Sequence, residues 1–391
     1  MIGAKPEALG IYVSVPFCRA KCSFCNFASG VSTAGVIEGY VEQLCKEIDA
    51  AGETAKRLGA TLPQRVDSVY FGGGTPSLLE PVQLQKIFAA LRRGFVVEQG
   101  AEITLESAPG QIAEATLVEA MRLGVNRVSL GVQSFVDRES AAVGRTHTEK
   151  ECVREIARLR AAGLEEVGAD LIAGLPYQTE DSWAHSLQMA TGVGLTHLSV
   201  YMLEIDEDSR LGREVLGGGA RLHAPAVGSE ELAAEFYEAA CEELPRAGFA
   251  QYEISNFAEA SHRSRHNRKY WLRAPYMGFG LDAHSMLLTD TGAVRFANAD
   301  ELRDYGKVER EVTRVGEREA FEEMIFLGLR MSEGVAVSSL PSGFAESCEG
   351  SVKEMVEEGL MTDEDGRWRL TLRGRLVSND VFGRVLEGVA A

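Results

Sequence analysis

Ile11-Tyr12-Val13-Ser14-Val15-Pro16-Phe17-Cys18-Arg19-Ala20-Lys21-Cys22-Ser23-Phe24-Cys25-Asn26-Phe27 joins an apolar, β-branched run to three closely spaced cysteines. Ile11 to Val15 reads as a buried strand that Pro16 closes. The cysteines follow on a loop at C-x3-C-x2-C spacing. Three thiolates so placed can bind three corners of a [4Fe–4S] cube. Such clusters ordinarily take four cysteines, so a missing fourth leaves one iron for another ligand. Arg19 and Lys21 would then lie beside negatively charged thiolates. Two other chemistries fit the same residues: a Cys3His zinc site completed by a distant histidine, and a dithiol pair made by Cys22 and Cys25.

The chain around this stretch is that of an ordinary water-soluble protein of 391 residues, 45% apolar and 25% charged, with net charge −18. That balance argues against nucleic acid as a partner, because phosphate backbones are held by clustered Lys and Arg. It does not favour docking on an anionic membrane either. Seven cysteines, four of them scattered at 45, 152, 241 and 348, imply no disulfide framework and suit a reducing, cytoplasmic compartment. The first ten residues lack the basic start and apolar core of a signal peptide. No apolar run is long enough to span a bilayer.

Up to about residue 205 strands and helices alternate. Strands are expected at Ile11–Val15, Val66–Phe71, Ala101–Glu106, Arg127–Val132, Val167–Ile172 and His197–Leu203. Helices are expected at Val36–Leu58, Pro81–Arg93, Ala113–Leu123, Thr148–Ala161, Glu180–Val193 and Glu230–Ala247. The alternation predicts an α/β fold whose parallel strands have helices outside, and six units predict a partial, TIM-like (β/α)6 barrel. Chemistry should collect where the strands end. There stand Gly72-Gly73-Gly74-Thr75-Pro76-Ser77, Glu106, Gln133 and Arg145, with Asp170 inside an apolar strand. An acid so placed needs a partner, either a ligand or a structural salt bridge.

The expected units are a core barrel at 1–205, a barrel-completing, substrate-binding region at 206–300, and a small winged-helix-like α+β domain at 301–391. Asp206 to Ser229 reads as a mobile connection, and Gly248–Phe257 as a strand. Arg318–Arg330 and Val352–Gly359 read as amphipathic helices before a β-ribbon. Arg367, Arg369, Arg373 and Arg375 read as a solvated face. His262 and His266 are four apart and on a helix could share one metal, or be ordinary loop residues. With Tyr270 and Trp271 nearby, the histidines could instead hold a flat aromatic ligand and supply an axial ligand to iron.

The cysteine loop after a first strand resembles the signature of the radical S-adenosylmethionine (SAM) superfamily. Gly72-Gly73-Gly74-Thr75-Pro76-Ser77, Ser129-Leu130-Gly131-Val132-Gln133-Ser134-Phe135, Gly174-Leu175-Pro176-x-Gln178 and Gln251-Tyr252-Glu253-Ile254-Ser255-Asn256-Phe257 resemble the branch that contains oxygen-independent coproporphyrinogen III dehydrogenases and heme chaperones. The resemblance implies a [4Fe–4S] cluster on Cys18, Cys22 and Cys25. It implies SAM on the open iron, cleaved reductively to methionine and a 5′-deoxyadenosyl radical. Tyr12, Phe24, Gly73, Gly74, Thr75, Glu106, Gln133, Arg145 and Asp170 are its implied SAM contacts. Within the branch, His266-Asn267-x2-Tyr270-Trp271 resembles a motif associated with heme binding. The dehydrogenases carry a further cysteine where this chain has Phe27, and a longer segment than the 17 residues that precede Cys18 here. Both features point to the chaperone side. There heme, heme-accepting respiratory proteins and a low-potential electron donor would be the partners, with peripheral membrane contact and either a monomer or a homodimer compatible. Oxidative decarboxylation of porphyrinogen propionates is the alternative activity. The sequence departs from the family pattern at Ser14, Asn26 and Ala108, where histidine, aspartate and asparagine are usual.

Overall fold

Six strands lie side by side in chain order, each parallel to the next: β1 (Leu9–Val15), β2 (Arg65–Gly73), β3 (Val96–Ser107), β4 (Arg127–Gln133), β5 (Glu166–Ala173) and β6 (His197–Met202). The computed structural model describes residues 8–390. Residues 1–7 of the expected barrel unit, most of the stretch read for a targeting signal, lie outside the described residues.

Alternation within each strand explains the architecture. Ile11, Val13, Val69, Phe71, Leu105, Val128, Leu130, Leu171, Leu198 and Val200 are buried in one apolar core with residues of the surrounding helices. Burying each such side chain contributes about 1.5–3 kcal/mol. The intervening positions are polar or glycine: Tyr12 and Ser14, Ser68 and Tyr70, Glu102 with Thr104 and Glu106, Ser129 and Gly131, Gly168 and Asp170, Ser199 and Tyr201. Successive side chains point to opposite faces, so this second set lines the inside of the curved sheet.

The covering helices are Pro81–Gly94, Glu114–Leu123, Glu149–Ala161 and Glu180–Gly192, with Ala34–Asp49 and Ala51–Leu58 ahead of β2. The last two were expected as one helix. The chain instead leaves helical geometry at Ala50 (φ −88°, ψ 3°) and starts again. Capping boxes at Thr148 and Thr179 begin two of the helices.

Both edges of the six-stranded core are extended into a twelve-stranded sheet. Beside β6 runs the antiparallel strand Asn256–Ala258, followed outward by Ala250–Gln251. Gly248–Phe257 is therefore two short strands with a turn between them, not one. Beside β1 runs the parallel strand Tyr276–Phe279, then the antiparallel strands His284–Thr289, Gly292–Ala297 and Glu311–Val315. Residues 311–315, expected with the C-terminal unit, thus pair into the large sheet. Buried Glu47 pins this extension to the first helix through Tyr305, Arg310 and Asn298.

The small C-terminal unit has its own core, including Phe321, Ile325, Val352, Met355, Trp368 and Val385. Helices Glu317–Arg330 and Ser342–Glu357 pack against a three-stranded sheet whose ribbon is Met361–Glu364 and Arg367–Leu370. The four arginines read as a solvated face are engaged: Arg367, Arg369 and Arg373 donate to the carbonyls of Glu333, Glu364 and Glu358, and Arg375 to the Gln251 side chain. Asp206 to Ser229 is more than a connection. It contains helix Arg210–Leu216, buries Leu211, and bonds to the cysteine loop (Leu211 N to Ser23 O, 2.8 Å; Arg210 Nη2 to Lys21 O, 2.5 Å). Among the described residues no helix is long and apolar enough to cross a membrane.

Candidate functional site: cysteine loop, barrel rim and barrel floor

Pro16 turns the chain out of β1. The cysteine loop returns through Cys18 N to Gly30 O (3.0 Å) and Gly30 N to Pro16 O (2.9 Å). The end of β2 presses on its start, with Thr75 N donating to Phe17 O at 2.8 Å. Only glycine permits this approach at position 74. An added Cβ would lie 2.7 Å from Val15 O and 2.8 Å from Phe17 N and O. All three cysteines are free thiols, Cys22 buried and Cys18 and Cys25 half-buried. Burial pushes the Cys22 thiol up in pKa, while Arg145 and Arg210 act to lower it. Lys21 reaches the Phe27 carbonyl instead, at 2.8 Å. Three free soft donors on one short loop beside two guanidinium groups fit a three-cysteine iron–sulfur cluster. Among the described residues, no three His, Cys, Asp or Glu side chains are gathered closely enough to hold a single metal ion.

Of the expected SAM contacts, Gly73, Gly74, Thr75, Glu106 and Gln133 stand at the carboxyl ends of β2, β3 and β4. Tyr12 and Asp170 lie inside β1 and β5, Phe24 lies on the cysteine loop, and Arg145 lies beyond helix Asp137–Ala142. A Cβ added at Gly72 would come within 3.0–3.1 Å of Tyr70, Glu106 and Tyr12, so glycine seats these three side chains together. Gly73 has φ 93°, and its added Cβ would meet Ser14 Oγ at 2.8 Å. Glu106 Oε1 accepts from the Tyr70 hydroxyl at 2.7 Å. Burial pushes the Glu106 carboxyl up to about 8, and Asp170 adds to this. Tyr70, the Gly73 amide and Arg145 pull the other way.

Asp170 accepts from Ser129 Oγ at 3.3 Å, and burial raises its pKa. Among the described residues no Lys or Arg pairs with it, so the structural salt bridge is not formed. Gln133 sits at a register shift of β4 with φ 70°. Its amide and the Arg145 guanidinium both approach Gly131, within 3.1 and 2.8 Å of where a Cβ would be. Arg145 Nε is buried without a partner. Phe24 packs on Val143, Leu175 and Leu211 beside the loop. The rim therefore offers two carboxyls and an unsatisfied guanidinium within reach of the cysteines. Such a set fits a ligand that carries an ammonium, a carboxylate and hydroxyls together.

Below the rim a polar cavity of about 100 Å³ is lined by Tyr70, Thr104, Ser129, Asp170, His197 and Asn267, among others. Helix Arg265–Trp271 forms its floor. Glu102 on β3 caps this helix, accepting from Ser264 Oγ (3.1 Å), Arg265 N (2.8 Å) and His266 N (2.9 Å). Arg127 bridges Glu102 and Glu166 at 3.4 and 3.1 Å, and His262 Nδ1 meets Glu166 at 2.8 Å. Lys269 reaches Asp67 at 2.8 Å and Ala8 O at 2.7 Å.

His266 is 1% exposed. Its Nδ1 is 3.1 Å from Ser68 Oγ, its Nε2 is 2.9 Å from the Tyr270 hydroxyl, and its ring stacks on Tyr70. Burial lowers its pKa to about 3. His262 and His266 thus serve different partners and share no metal. Asn267 lines the cavity, while Trp271 lies under Arg330 of the C-terminal unit, 4.3 Å from ring to guanidinium. For His266 to bind an iron, its ring must give up Ser68 or Tyr270. The cavity is also far smaller than a porphyrin.

Sequence reasoning missed Tyr70, Thr104, Ser129, His197, Ser199 and Tyr201 as lining residues. Their signal was polar residues at every second position of otherwise apolar strands. The Gln251–Phe257 motif proves to be a joint: Tyr252 meets His197 at 2.8 Å, and Ile254 N donates to Arg330 O at 3.0 Å.

A partial parallel barrel with three free cysteines after its first strand is the architecture of a radical SAM protein. Residues 12–190 match the family described as the Radical SAM superfamily, and residues 316–377 match the HemN C-terminal domain. Heme chaperone HemW of Bacillus subtilis is 31% identical over 96% of this chain and 98% of its own. The mouse mitochondrial radical S-adenosyl methionine domain-containing protein 1 is 36% identical over 83% and 74%. Coproporphyrinogen III oxidase HemN of Escherichia coli has the same fold, with TM-score 0.80 and 22% identity, covering 97% of this chain and 90% of its own. The chain belongs to the HemW family of radical SAM proteins.

Proposed function

We propose that this protein is a cytoplasmic heme chaperone that carries a [4Fe–4S] cluster with SAM and hands heme to heme-dependent proteins, respiratory ones among them. The observation that carries this reading is the match to heme chaperone HemW along almost the full length of both chains. Cys18, Cys22 and Cys25 hold the cluster. Glu106, Asp170, Gln133 and Arg145 orient SAM, and Tyr12, Phe24, Gly73, Gly74 and Thr75 enclose it. The cluster, when bound and reduced by a low-potential donor, supplies one electron to SAM. His266, Asn267, Tyr270 and Trp271 are the residues that would hold heme, and His266 would have to give up Ser68 or Tyr270 to meet its iron.

Decarboxylation of coproporphyrinogen is the second reading, favoured by the shared HemN fold. Against it stands Phe27, 60% exposed, where the dehydrogenases carry a further cysteine. Heme added to anaerobically reconstituted protein should give a Soret band, and His266→Ala should weaken binding by at least about tenfold. Coproporphyrinogen III with SAM and reductant should yield no protoporphyrinogen. Product formation would reverse the choice between the two readings.

A further inference from the structure

We infer that the trough between helices Glu180–Gly192 and Glu230–Arg246, on the outside of the barrel, receives a basic amphipathic helix of a partner protein. The trough has a volume of about 550 Å³. Trp183, Leu187, Phe236 and Leu244 make its floor, and each is buried. The Trp183 indole N–H donates to Phe236 O at 2.7 Å and its ring stacks on that of Phe236, so the floor is fixed. The walls stay low because alanine stands at 184 and 239, where a longer side chain would close the trough.

Shape and charge name the occupant. The lining runs from Glu180 to Thr191 on one helix and from Glu235 to Ala247 along the other, about 16–18 Å at 1.5 Å per residue. An elongated apolar trough suits a helix lying lengthwise, with anchors at i, i+3 or i+4 and i+7. Above the floor the rim is acidic, with Glu180, Glu235 and Glu243 lining it. The two helices carry two and six acidic residues against a single Lys or Arg, Arg246. Arg246 is taken by Glu242 and Glu243, and among the described residues no Lys or Arg pairs with Glu180 or Glu235. An acidic helix face alone is a solvated surface, whereas an apolar cleft rimmed by polar groups marks an interaction site. A second copy of this chain, itself at net charge −18, would add negative charge to the rim and not neutralise it. Neither the cluster nor heme is needed for this contact.

The probe is a fluorescein-labelled synthetic helix of about 15 residues, with leucines along one ridge and lysines elsewhere. A second probe keeps the leucines and replaces the lysines by glutamates. A third keeps the lysine composition and scrambles the ridge. In anisotropy titrations of the full-length chain at physiological ionic strength, the lysine probe should bind at least about tenfold more tightly than either of the others. Ala184→Leu, which fills the trough from an exposed position and leaves the charge alone, should weaken it at least about tenfold. Glu235→Gln should weaken binding and flatten its dependence on salt. No binding of the lysine probe, equal binding of the scrambled one, or unchanged binding in Ala184→Leu would overturn the site. Equal binding of the glutamate probe would make the occupant apolar and not basic, and so overturn the assignment. Sedimentation velocity reads the remaining occupant: a wild-type dimer that Ala184→Leu dissociates would give the trough to a second copy and overturn the partner helix.

Discussion

Glu106 is placed at the rim where burial favours its protonated form and a cationic ligand would favour its charge. Without a ligand the folded protein keeps this proton up to about pH 8, whereas an unfolded chain loses it near 4.3. Between those values the unfolded state binds fewer protons, so raising the pH favours unfolding. Wild-type protein without SAM should therefore lose more stability between pH 5 and pH 8 than Glu106→Gln, by denaturant titration. Saturating SAM should abolish much of the difference. His266 has the opposite sign: its folded pKa of about 3 lies below the unfolded 6.5, so its contribution is lost as pH falls through that window. Identical pH profiles for wild type and Glu106→Gln would contradict the described placement of this carboxyl.

At the scale of elements, helix Arg265–Trp271 is too short to be stable alone. Glu102 builds it by receiving donors from Ser264, Arg265 and His266 while pairing with Arg127. Removing this acid orphans the Ser264 hydroxyl and the Arg265 and His266 N–H groups and leaves Arg127 only Glu166 as a carboxylate partner, so Glu102→Ala should cost about 3–5 kcal/mol. Urea titration would show it, and a loss below about 1 kcal/mol would mean that the floor is not held in this way. At the other end of the barrel, Gly74→Ala drives a Cβ into the start of the cysteine loop. It should lower iron incorporation while circular dichroism of the barrel is kept. The strand–helix alternation was legible because each element carries its own period, and two of the helices begin at capping boxes. The sheet extension at 276–315 was not, since short strands carry little periodicity of their own. Nor was the break at Ala50, in a stretch whose helical pattern continues on both sides.

For the whole molecule, what could be read in advance was what lies close in sequence. Three cysteines within eight residues, three glycines at one strand end, Glu106 at the end of the next strand and Asp170 inside an apolar one all announce themselves locally. The contact between His266 and Ser68 spans 198 residues and has no local signature. Neither does the placement of Trp271 under Arg330, which joins the barrel floor to the C-terminal unit. The histidine motif was legible as a constellation, but its burial was not. Burial there depends on a polar barrel interior assembled from residues on every strand.

The rest of the assignment depends on a cluster whose fourth iron SAM can reach. Electron paramagnetic resonance of the anaerobically reconstituted, reduced protein tests this directly. The spectrum of a [4Fe–4S] cluster should appear and change on adding SAM, and Arg145→Met should require more SAM for the same change. A cluster signal that SAM leaves unaltered at any concentration would contradict the account.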